Sequence, residues 1–475
     1  MHYFLLFLAL FSIQSMASDT YSVKEYIGYL TDQHVASKQL KSKQHASQHH
    51  FGMANAITDW NIQTTVYGNH AEPYQTSSFS PSTIDTFGTE FSLFRPILTT
   101  GGQLGFNINN TKVSQSEISF NDAVISPGQY YNNAISVTYT QPLLYGFMGE
   151  ALNYPIMVAS TNVKVTTLQT DEQFEHFIAS ELSTYIDWVL LNEVTELMFS
   201  RLQLARASFK QTKNRVRVNL SEKIDLLRAE FAVQRAHQMW LTQKARLKSL
   251  QFKMATRMDD PGIISKTPTF DLYSTAYVKK PDYVVVGTLR AIKSRQLHTK
   301  PLEAQLNLAK SKRNGTLNLK GSYDFIGGDT DFQGGLSYLN NNTGMSINYS
   351  RPLTDTYSTE AVKQRQRALD DHTRQQQQIE IDLKSDIVAL YTLLEEQKQI
   401  LSVTLKQIVI AQDKAKAEDA LYKQGRSSID LVIQAQDNVL DTKVAYANAS
   451  GNYQKYVLSY QDLIDNLLGE YSIKL

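Results

Sequence analysis

The amino-acid sequence predicts an α+β membrane protein with two internal structural repeats, in which glycine-rich β-strands alternate with very long α-helices. Three observations carry this prediction. The chain begins with an apolar segment typical of exported proteins. Glycine and proline are confined to a few segments, and short groups of residues recur 210 and 206 positions apart.

The first element is an export segment. Tyr3 to Ile13 form a nearly unbroken apolar run, and Ser15-Met16-Ala17 follows with the small-x-small spacing of a cleavage site, although His2 stands where a basic residue is usual. The run is too short for a membrane-spanning helix of about 20 residues. We therefore expect residues 1–17 to be a secretory signal peptide.

The composition excludes several classes of function. Lys plus Arg total 47 against 46 Asp plus Glu, so the net charge supplies no electrostatic footprint for nucleic acid, and we expect no nucleic-acid partner. It contains no cysteine, which excludes disulfides, thiolate metal sites and cysteine nucleophiles. The HExxH, phosphate-loop and G-x-S-x-G motifs are all missing from the sequence. We expect no enzyme activity, no cofactor and no metal site.

Two stretches without glycine or proline predict long helices. One helix from about Pro155 to Arg217 would be roughly 90 Å long and one from about Thr356 to Gln424 roughly 100 Å, at 1.5 Å per residue. Pro155 suits the first turn of a helix, where its missing N–H is not needed. In the last helix, apolar residues fall seven apart, as in a coiled-coil seam. These residues are Val432, Val439, Tyr446, Tyr453, Tyr460 and Leu467.

The glycine-rich segments alternate apolar and polar residues with a period of two, which is typical of a half-buried strand. The segments are found near residues 62–67, 87–93, 104–109, 135–140, 317–324 and 345–350. Their length and aromatic content fit strands of an outer-membrane barrel. From the strands alone, a soluble sandwich with one wet face explains the pattern equally well.

An internal repeat relates the two halves. The segment that begins at Ser136 and contains Pro142 recurs from Ser346 with Pro352. The turn and helix from Val218 recur from Gln424. Each half therefore predicts strands, a long helix, a tight turn and a returning helix. Asn219 and Gly425 suit the left-handed backbone that ends a helix, and Ser221 and Ser427 can cap the next one.

These residues resemble the TolC family of outer-membrane efflux proteins, over nearly the whole mature chain. Two motifs carry most of the resemblance: Gln141-Pro142-Leu143-Leu144-Tyr145-Gly146, and Tyr422-x-x-Gly425-x-Ser427 with Ile433-x-Ala435-Gln436. A degenerate copy of the second motif extends from Asn219 to Glu230, and Lys280-Pro281-Asp282 stands between the two halves. Their order and spacing are specific, whereas each motif alone is weak.

The resemblance implies a trimeric, shared transmembrane β-barrel that continues into a long periplasmic α-helical coiled-coil tunnel. It implies an outer-membrane location with a periplasmic helical extension, contact with outer-membrane lipid, and two protein partners, a periplasmic adaptor and an inner-membrane transporter. The function implied is a passive exit duct of a tripartite efflux pump or a type I secretion system. About four strands from each of three chains would make a barrel of about twelve. The sequence shows six or seven strand-like segments, so we expect some to lie outside the membrane or to be broken by bends.

The organisation that follows has seven parts. They are a signal peptide (1–17), an N-terminal helical segment (18–57), barrel strands and extracellular loops of repeat 1 (58–149), a periplasmic helical hairpin (150–257), an equatorial linker and helix (258–313), barrel strands of repeat 2 (314–354), and a second helical hairpin with the C-terminus (355–475).

The resemblance also assigns roles at the two helix turns, which would lie together at the far end of the tunnel. The predicted adaptor-docking tip consists of Val218, Asn219, Leu220, Ser221, Gly425, Arg426 and Ser427. Tyr422 matches the gate tyrosine of the family, while its two acidic gate positions hold Leu431 and Gln434. Asp225 and Asp430 are the nearest acids, so we expect a tyrosine-latched gate with a rearranged acidic ring. The simpler alternative is a pair of ordinary αα-hairpin turns.

Other patterns have plain explanations. His45, His49 and His50 lie at helical spacing and fit a solvated helix face. The segment 327–331 fits a hairpin turn rather than a calcium site. The alternative function is a periplasmic structural or adaptor-like coiled-coil protein. It requires that Ile135, Val137 and Tyr139 be covered by protein rather than by lipid.

Overall fold

The computed structural model describes residues 20–74, 80–120, 123–275, 278–337, 339–471 and 473. The predicted signal peptide, residues 1–17, lies outside the described residues. The chain forms two compact units, one from Met1–Ser42, Thr170–Arg290 and Ile379–Leu475, and the other from Lys43–Gln169 and Ala291–Gln378. We call them the helical unit and the sheet unit.

In chain order, the described α-helices and β-strands are β1 (Thr20–Ser22), α1 (Val23–Asp32), α2 (Val35–Asn55), β2 (Asn61–Ala71), β3 (Ile84–Pro96), β4 (Gln103–Gln115), β5 (Ile118–Phe120), β6 (Ala123–Ile125), β7 (Gln129–Pro142), α3 (Glu150–Arg217), α4 (Lys223–Met258), β8 (Thr267–Thr269), α5 (Arg290–Arg313), β9 (Thr316–Asp329), α6 (Phe332–Ser337), β10 (Asn340–Ser350), α7 (Thr356–Lys423), α8 (Ile429–Leu463) and α9 (Leu467–Glu470).

The sheet unit is built on one six-stranded antiparallel sheet, in the order β2-β3-β4-β7-β9-β10. All six strand-like segments of the sequence lie in this sheet as strands of 11 to 14 residues. None of the six is separated from the sheet. The turn predicted at 327–331 is longer than a hairpin turn, because α6 lies between β9 and β10.

The strand register sorts the side chains onto two faces of opposite character. One row across the sheet consists of Ile62, Leu93, Phe106, Val137, Tyr323 and Thr343. The next row, on the opposite face, consists of Gln63, Ser92, Asn107, Ser136, Asp324 and Asn342. We call these the apolar face and the polar face. The apolar face is exposed, with Ile62 at 68% and Ile347 at 66% of full exposure.

The apolar face has a polar interruption that the fold covers. Asn133 lies on this face but is only 2% exposed. Its side-chain amide donates to the Phe332 carbonyl of α6 at 3.4 Å and its oxygen accepts from the Asn110 amide. The short helix α6 therefore shields the polar pair, while the rest of the face stays open.

The two helical hairpins are nearly equal in length. α3 and α7 each have 68 residues, and α4 and α8 have 36 and 35. α3 begins at Glu150, so Pro155 lies inside the helix and the prediction that it occupies the first turn is wrong. Lys280-Pro281-Asp282 begins only a 3₁₀ turn, and the next α-helix starts later, at Arg290. No helix in the described part of the chain is both long and apolar enough to cross a membrane.

A tyrosine-rich core holds the helical unit together. Tyr26, Tyr185 and Trp188 are at most 2% exposed and pack against one another. The Tyr26 hydroxyl donates to Glu181 at 2.7 Å. Burial, and then the charge of Glu181, raise the pKa of Tyr26, so the phenol stays protonated and keeps donating this bond.

The predicted coiled-coil seam forms part of the buried face of α8. Val432, Tyr453 and Tyr460 are at most 1% exposed, whereas Val439 and Tyr446 are half-buried. Leu467 is also buried, but it belongs to α9 because α8 ends at Leu463. The heptad pattern therefore predicted the buried residues better than the end of the helix.

A buried ion cluster fixes the end of the chain to α3. The carboxylate of Glu175 is almost fully buried, pairs with Arg290 and accepts the Leu467 and Leu468 amides. Arg290 also binds Asp465 at 3.1 Å. Because the cluster joins α3, the start of α5 and α9, it holds three distant parts of the sequence together.

Candidate functional site

The tip of the helical unit consists of two turns with the same backbone geometry. Asn219 and Gly425 have positive φ angles of 56° and 76°, as predicted. The Leu220 amide donates to Arg215 O, and the Arg426 amide donates to Leu421 O, each at 2.8 Å. Both turns are therefore helix-ending motifs with a 6→1 hydrogen bond, repeated 206 residues apart.

The predicted capping role of the two serines is wrong. The caps of α4 and α8 are the following residues, Glu222 and Ser428. The Ser221 hydroxyl accepts from Arg215 at 3.2 Å, and the Ser427 hydroxyl donates to Glu418 at 2.7 Å. Each serine is thus bound back to the helix that precedes its turn, so it is unavailable for the helix that follows.

Tyr422 lies inside the tip rather than on its surface. It is 4% exposed and packs with Ala229, Ile429 and Val432. Its hydroxyl lies 3.3 Å from the Thr212 hydroxyl of α3. Tyr422 therefore ties the end of α7 to α3, in the first hairpin of the same chain.

Arg215 joins both turns and was not singled out from the sequence. Its guanidinium stacks on the Tyr422 ring at 4.7 Å. It also donates to Lys423 O at 3.3 Å and to Leu220 O at 3.4 Å, in addition to Ser221. The matching position of the second repeat is Leu421, so the internal repeat gave no indication of this role.

The two predicted gate acids are brought together by an arginine. Arg228 of α4 lies 3.5 Å from Asp225 and 3.2 Å from Asp430. Because Asp430 belongs to α8, this arginine bridges the two returning helices. The bridge is part-exposed, with Asp430 at 53% and Arg228 at 44% side-chain exposure, so it is screened by solvent and weak by itself.

A second charged layer lies further from the turns. Arg201 of α3 donates to Asp437 of α8 through Nε at 2.9 Å and Nη2 at 2.7 Å. Arg235 of α4 approaches the same carboxylate at 3.8 Å. A cavity of about 210 Å³ separates this layer from the Arg228 bridge. The tip thus contains arginine and aspartate from three helices in two successive layers.

The outermost residues of the tip are exposed. Val218 and Leu220 are 56% and 65% exposed, although both are apolar. Gly425 and Arg426 are exposed on the second turn. Leu431, at the first unmatched acidic position, is 47% exposed and contributes no charge. The predicted docking residues therefore form an accessible surface of mixed apolar and basic character.

Two helices also expose apolar stripes along their length. On α4, Ile224, Phe231 and Phe252 recur at multiples of seven residues. On α7, Val403 and Ile410 do so, in a stripe that also includes Ile381, Val388, Leu393, Ile400 and Val409. Stripes with this period are typical of coiled-coil seams that lack their partner helix.

No model of a known protein family matches the sequence, and no curated protein is significantly similar to it. Solved structures do match. The outer membrane protein VceC from Vibrio cholerae is 11% identical with a TM-score of 0.66, over 93% of this chain and 94% of VceC. The outer membrane channel CmeC of Campylobacter jejuni is 11% identical with a TM-score of 0.65, over 93% and 85%. The chain has the fold of these outer-membrane proteins.

A third structure extends the same finding. The open state of the outer membrane channel MtrE of Neisseria gonorrhoeae is 12% identical with a TM-score of 0.66, over 94% of this chain and 89% of MtrE. The prediction of a TolC-like, outer-membrane-factor fold is therefore confirmed. At this level of identity the likeness establishes the fold alone, because one fold can carry several functions.

Proposed function

We propose that this chain is the outer-membrane channel of a tripartite efflux pump or a type I secretion system. It passes substrates to the exterior passively, without catalysis or energy coupling of its own. The observation that carries the proposal is the exposed apolar face of the six-stranded sheet, in a chain whose other unit consists of long helices. The similarity of the fold to outer-membrane channels supports the same function.

The apolar face suits lipid better than water. Its rows of aromatic and branched side chains run across all six strands, while the polar face suits a water-filled interior. A soluble periplasmic protein would bury such a face, because exposed apolar patches of this extent promote aggregation. Within this chain Tyr139 is 36% exposed and Ile135 and Val137 are half-buried, whereas the adaptor-like alternative requires all three to be covered by protein.

Formation of a homotrimer would pair the sheet edges and cover the apolar helix stripes that a single chain leaves exposed. The sheet has two free edges, at β2 and β10, whose backbone groups would cost several kcal/mol each if unpaired in lipid. In the helical unit, the apolar stripes of α4 and α7 need partner helices. Packing α7 of one chain against α4 of the next would bury both stripes, while β10 pairs with β2 of the next chain.

The tip is the proposed docking surface for a periplasmic adaptor, which would connect the channel to an inner-membrane transporter. Val218 and Leu220 offer apolar contacts, and Arg426 offers a charge beside them. A partner surface with an apolar groove and acidic residues would complement this arrangement. Asn219, Ser221, Gly425 and Ser427 set the backbone shape of the two turns.

The contacts inside the tip suit a gate that is held closed. Tyr422 and Arg215 tie the two hairpins together at the turns, and Arg228 ties Asp225 to Asp430 one layer further in. We propose that opening requires these contacts to break. Because the charged bridge is partly exposed, adaptor binding could compete for it at modest cost in free energy.

The docking proposal is tested by export assays in the native host. The variants Leu220→Asp and Arg426→Glu should abolish or strongly reduce export while the protein remains at normal levels in the outer membrane. Lys280→Asp, an exposed position outside the turns and outside α4 and α7, is the matched control and should export normally. Unchanged export by both tip variants would exclude docking at this surface.

A further inference from the structure

We infer that all six long strands of each chain lie in the membrane wall, so that three chains close a barrel of eighteen strands. The inference rests on the proposed function and deepens it. It assigns a second copy of this chain as the partner of each sheet edge, and it differs from the sequence-based expectation of about four membrane strands per chain.

The internal repeat identifies which strands are additional. The segment from Ser136 in β7 matches the segment from Ser346 in β10, and the helices that follow have equal lengths. The first half nevertheless supplies four long strands and the second half only two. Because β2 follows α2 as β9 follows α5, and β7 leads into α3 as β10 leads into α7, the hairpin β3–β4 is left without a counterpart in the second half.

The additional hairpin has the same two-faced pattern as the rest of the sheet. Phe91 of β3 lies opposite Ile108 of β4, and Ile108 lies opposite Ile135 of β7, all on the apolar face. Ser92 and Asn107 lie opposite each other on the polar face. A hairpin projecting into water would have no reason to continue these apolar rows of its neighbours.

Charged residues mark the two limits of the apolar run on β3. Asp85 and Arg95 point to the apolar face, and Phe87, Phe91 and Leu93 lie between them. About ten residues of strand extend about 33 Å, and a tilt of about 40° reduces the height to about 25 Å. This is the height of the apolar band in outer-membrane barrels. The hairpin is therefore as tall as a membrane requires.

The hairpin is also built into the base of the sheet. Gly101 of the β3–β4 turn lies close to Gly146 O, and Gly149, just before α3, lies close to Leu98 O of the turn, so a Cβ atom at either glycine would clash with a carbonyl oxygen. The Gln141 amide donates to Thr100 O at 2.7 Å. These contacts fix the turn against the segment that leads from β7 into α3.

The direction of the strands permits closure with identical copies. An antiparallel sheet with an even number of strands has edges that run in opposite directions, so β10 of one chain can pair antiparallel with β2 of the next. The apolar face then continues across the junction, since Ile347 and Ile62 both belong to it. Three copies joined head to tail leave no free edge.

The strand number sets the width of the channel. Barrel diameter grows about linearly with strand number, so eighteen strands give a barrel about 1.5 times as wide as twelve. With strands about 4.8 Å apart and tilted about 40°, the diameters are about 36 Å and about 24 Å.

The test is site-directed spin labelling of the trimer in liposomes, which is direct because the chain has no cysteine. Labels at Phe91→Cys and Ile108→Cys report on the additional hairpin. Val137→Cys and Ile347→Cys report on the strands shared by both repeats, and Ser92→Cys reports on the polar face. Collision rates with oxygen and with a water-soluble nickel chelate show which labels lie in lipid.

We expect the labels at residues 91 and 108 to match those at 137 and 347, with high oxygen and low nickel collision rates, whereas the label at 92 meets nickel. If only the labels at 91 and 108 lie in water, the eighteen-strand inference is overturned and the channel proposal stands. If all four apolar-face labels lie in water, the channel proposal itself fails.

A distance measurement provides an independent count. A label at Ser346→Cys, on the polar face of β10, is present three times in the trimer. The three Cα atoms would lie about 31 Å apart for eighteen strands and about 21 Å apart for twelve; inward-pointing labels shorten both distances equally, so dipolar spectroscopy should distinguish them by about 10 Å. The shorter distance would overturn the inference whatever the labels on β3 and β4 report.

Discussion

Arg215 is the residue on which the contacts between the two turns converge. It stacks on Tyr422 and donates to two backbone carbonyls and to the Ser221 hydroxyl. Each such bond contributes about 1 kcal/mol, and the stacked cation about 0.5 to 2 kcal/mol. No other described side chain at the tip contacts both turns in this way.

We predict that Arg215→Ala loosens both turns. Local opening should become easier by about 1–3 kcal/mol, so the amides of Leu220 and Arg426 should exchange hydrogen about 5-fold to 150-fold faster. Hydrogen-exchange mass spectrometry of the tip peptides measures this. Arg217→Ala, an exposed neighbour, is the control. Equal exchange in both variants would show that Arg215 does not hold the turns.

Gly425 allows a second residue-scale test, because its backbone is left-handed but open space surrounds it. Gly425→Ala should destabilise the turn by about 1–2 kcal/mol through backbone strain alone. Gly425→Asn should be milder, since Asn219 adopts the same conformation in the first repeat. The hydrogen-exchange rate of the Arg426 amide measures the effect of each of the two variants. Equal loss in both would contradict the assignment to backbone strain.

At this scale the sequence predicts backbone conformation better than side-chain partners. Asn219 and Gly425 were identifiable because few residues tolerate a positive φ. The serine caps were wrong because Arg215 and Glu418, long side chains on the preceding helices, take the hydroxyls first. Arg228 could not be found, because its role depends on how α4 packs against α8, which no local pattern encodes.

Among the secondary-structure elements, α4 and α7 expose the apolar stripes that we assign to the interface between chains. We predict that Phe231→Glu or Ile410→Glu prevents trimer formation, because each would place a charge in an apolar seam between chains. Lys280→Glu, an exposed position outside α4 and α7, is the control and should leave the trimer intact. Particle size in mild detergent distinguishes the cases. Trimers of normal stability in both stripe variants would exclude these helices from the interface.

The ion cluster around Glu175 gives an element-scale prediction that does not depend on assembly. Glu175→Ala removes the most buried partner of Arg290 and leaves the Leu467 and Leu468 amides without their acceptor, so we expect a loss of about 3–5 kcal/mol. The double variant Glu175→Ala/Arg290→Ala should lose less than the sum of the single variants. Denaturant unfolding of the helical unit measures both. Additive losses would show that the two residues are not coupled.

The sequence predicted which elements form, but not how they join. Period-two alternation located all six strands of the sheet, and the absence of glycine and proline located both 68-residue helices. Alternation does not specify which strand lies beside which, so the placement of β3–β4 within the sheet required the structure. The prediction of an α-helix that starts at Lys280-Pro281-Asp282 was wrong because a proline in the first turn suits a 3₁₀ turn as well as an α-helix.

For the whole molecule, the internal repeat carried more information than any motif. It predicted the paired hairpins and the adjacent tips, and through them the fold that solved structures share at 11–12% identity. The repeat did not predict that the two halves have unequal numbers of strands. An inserted pair of strands preserves both the antiparallel order and the apolar face, so it leaves no sign in the repeat.

The central claim, a trimeric outer-membrane channel, is tested most directly by one mass. The particle is extracted from outer membranes in mild detergent, and its protein mass is measured with bound detergent subtracted. We predict about three times the 53.8 kDa chain, less three signal peptides. A monomer recovered from the soluble periplasm would contradict this claim and would favour a periplasmic coiled-coil protein.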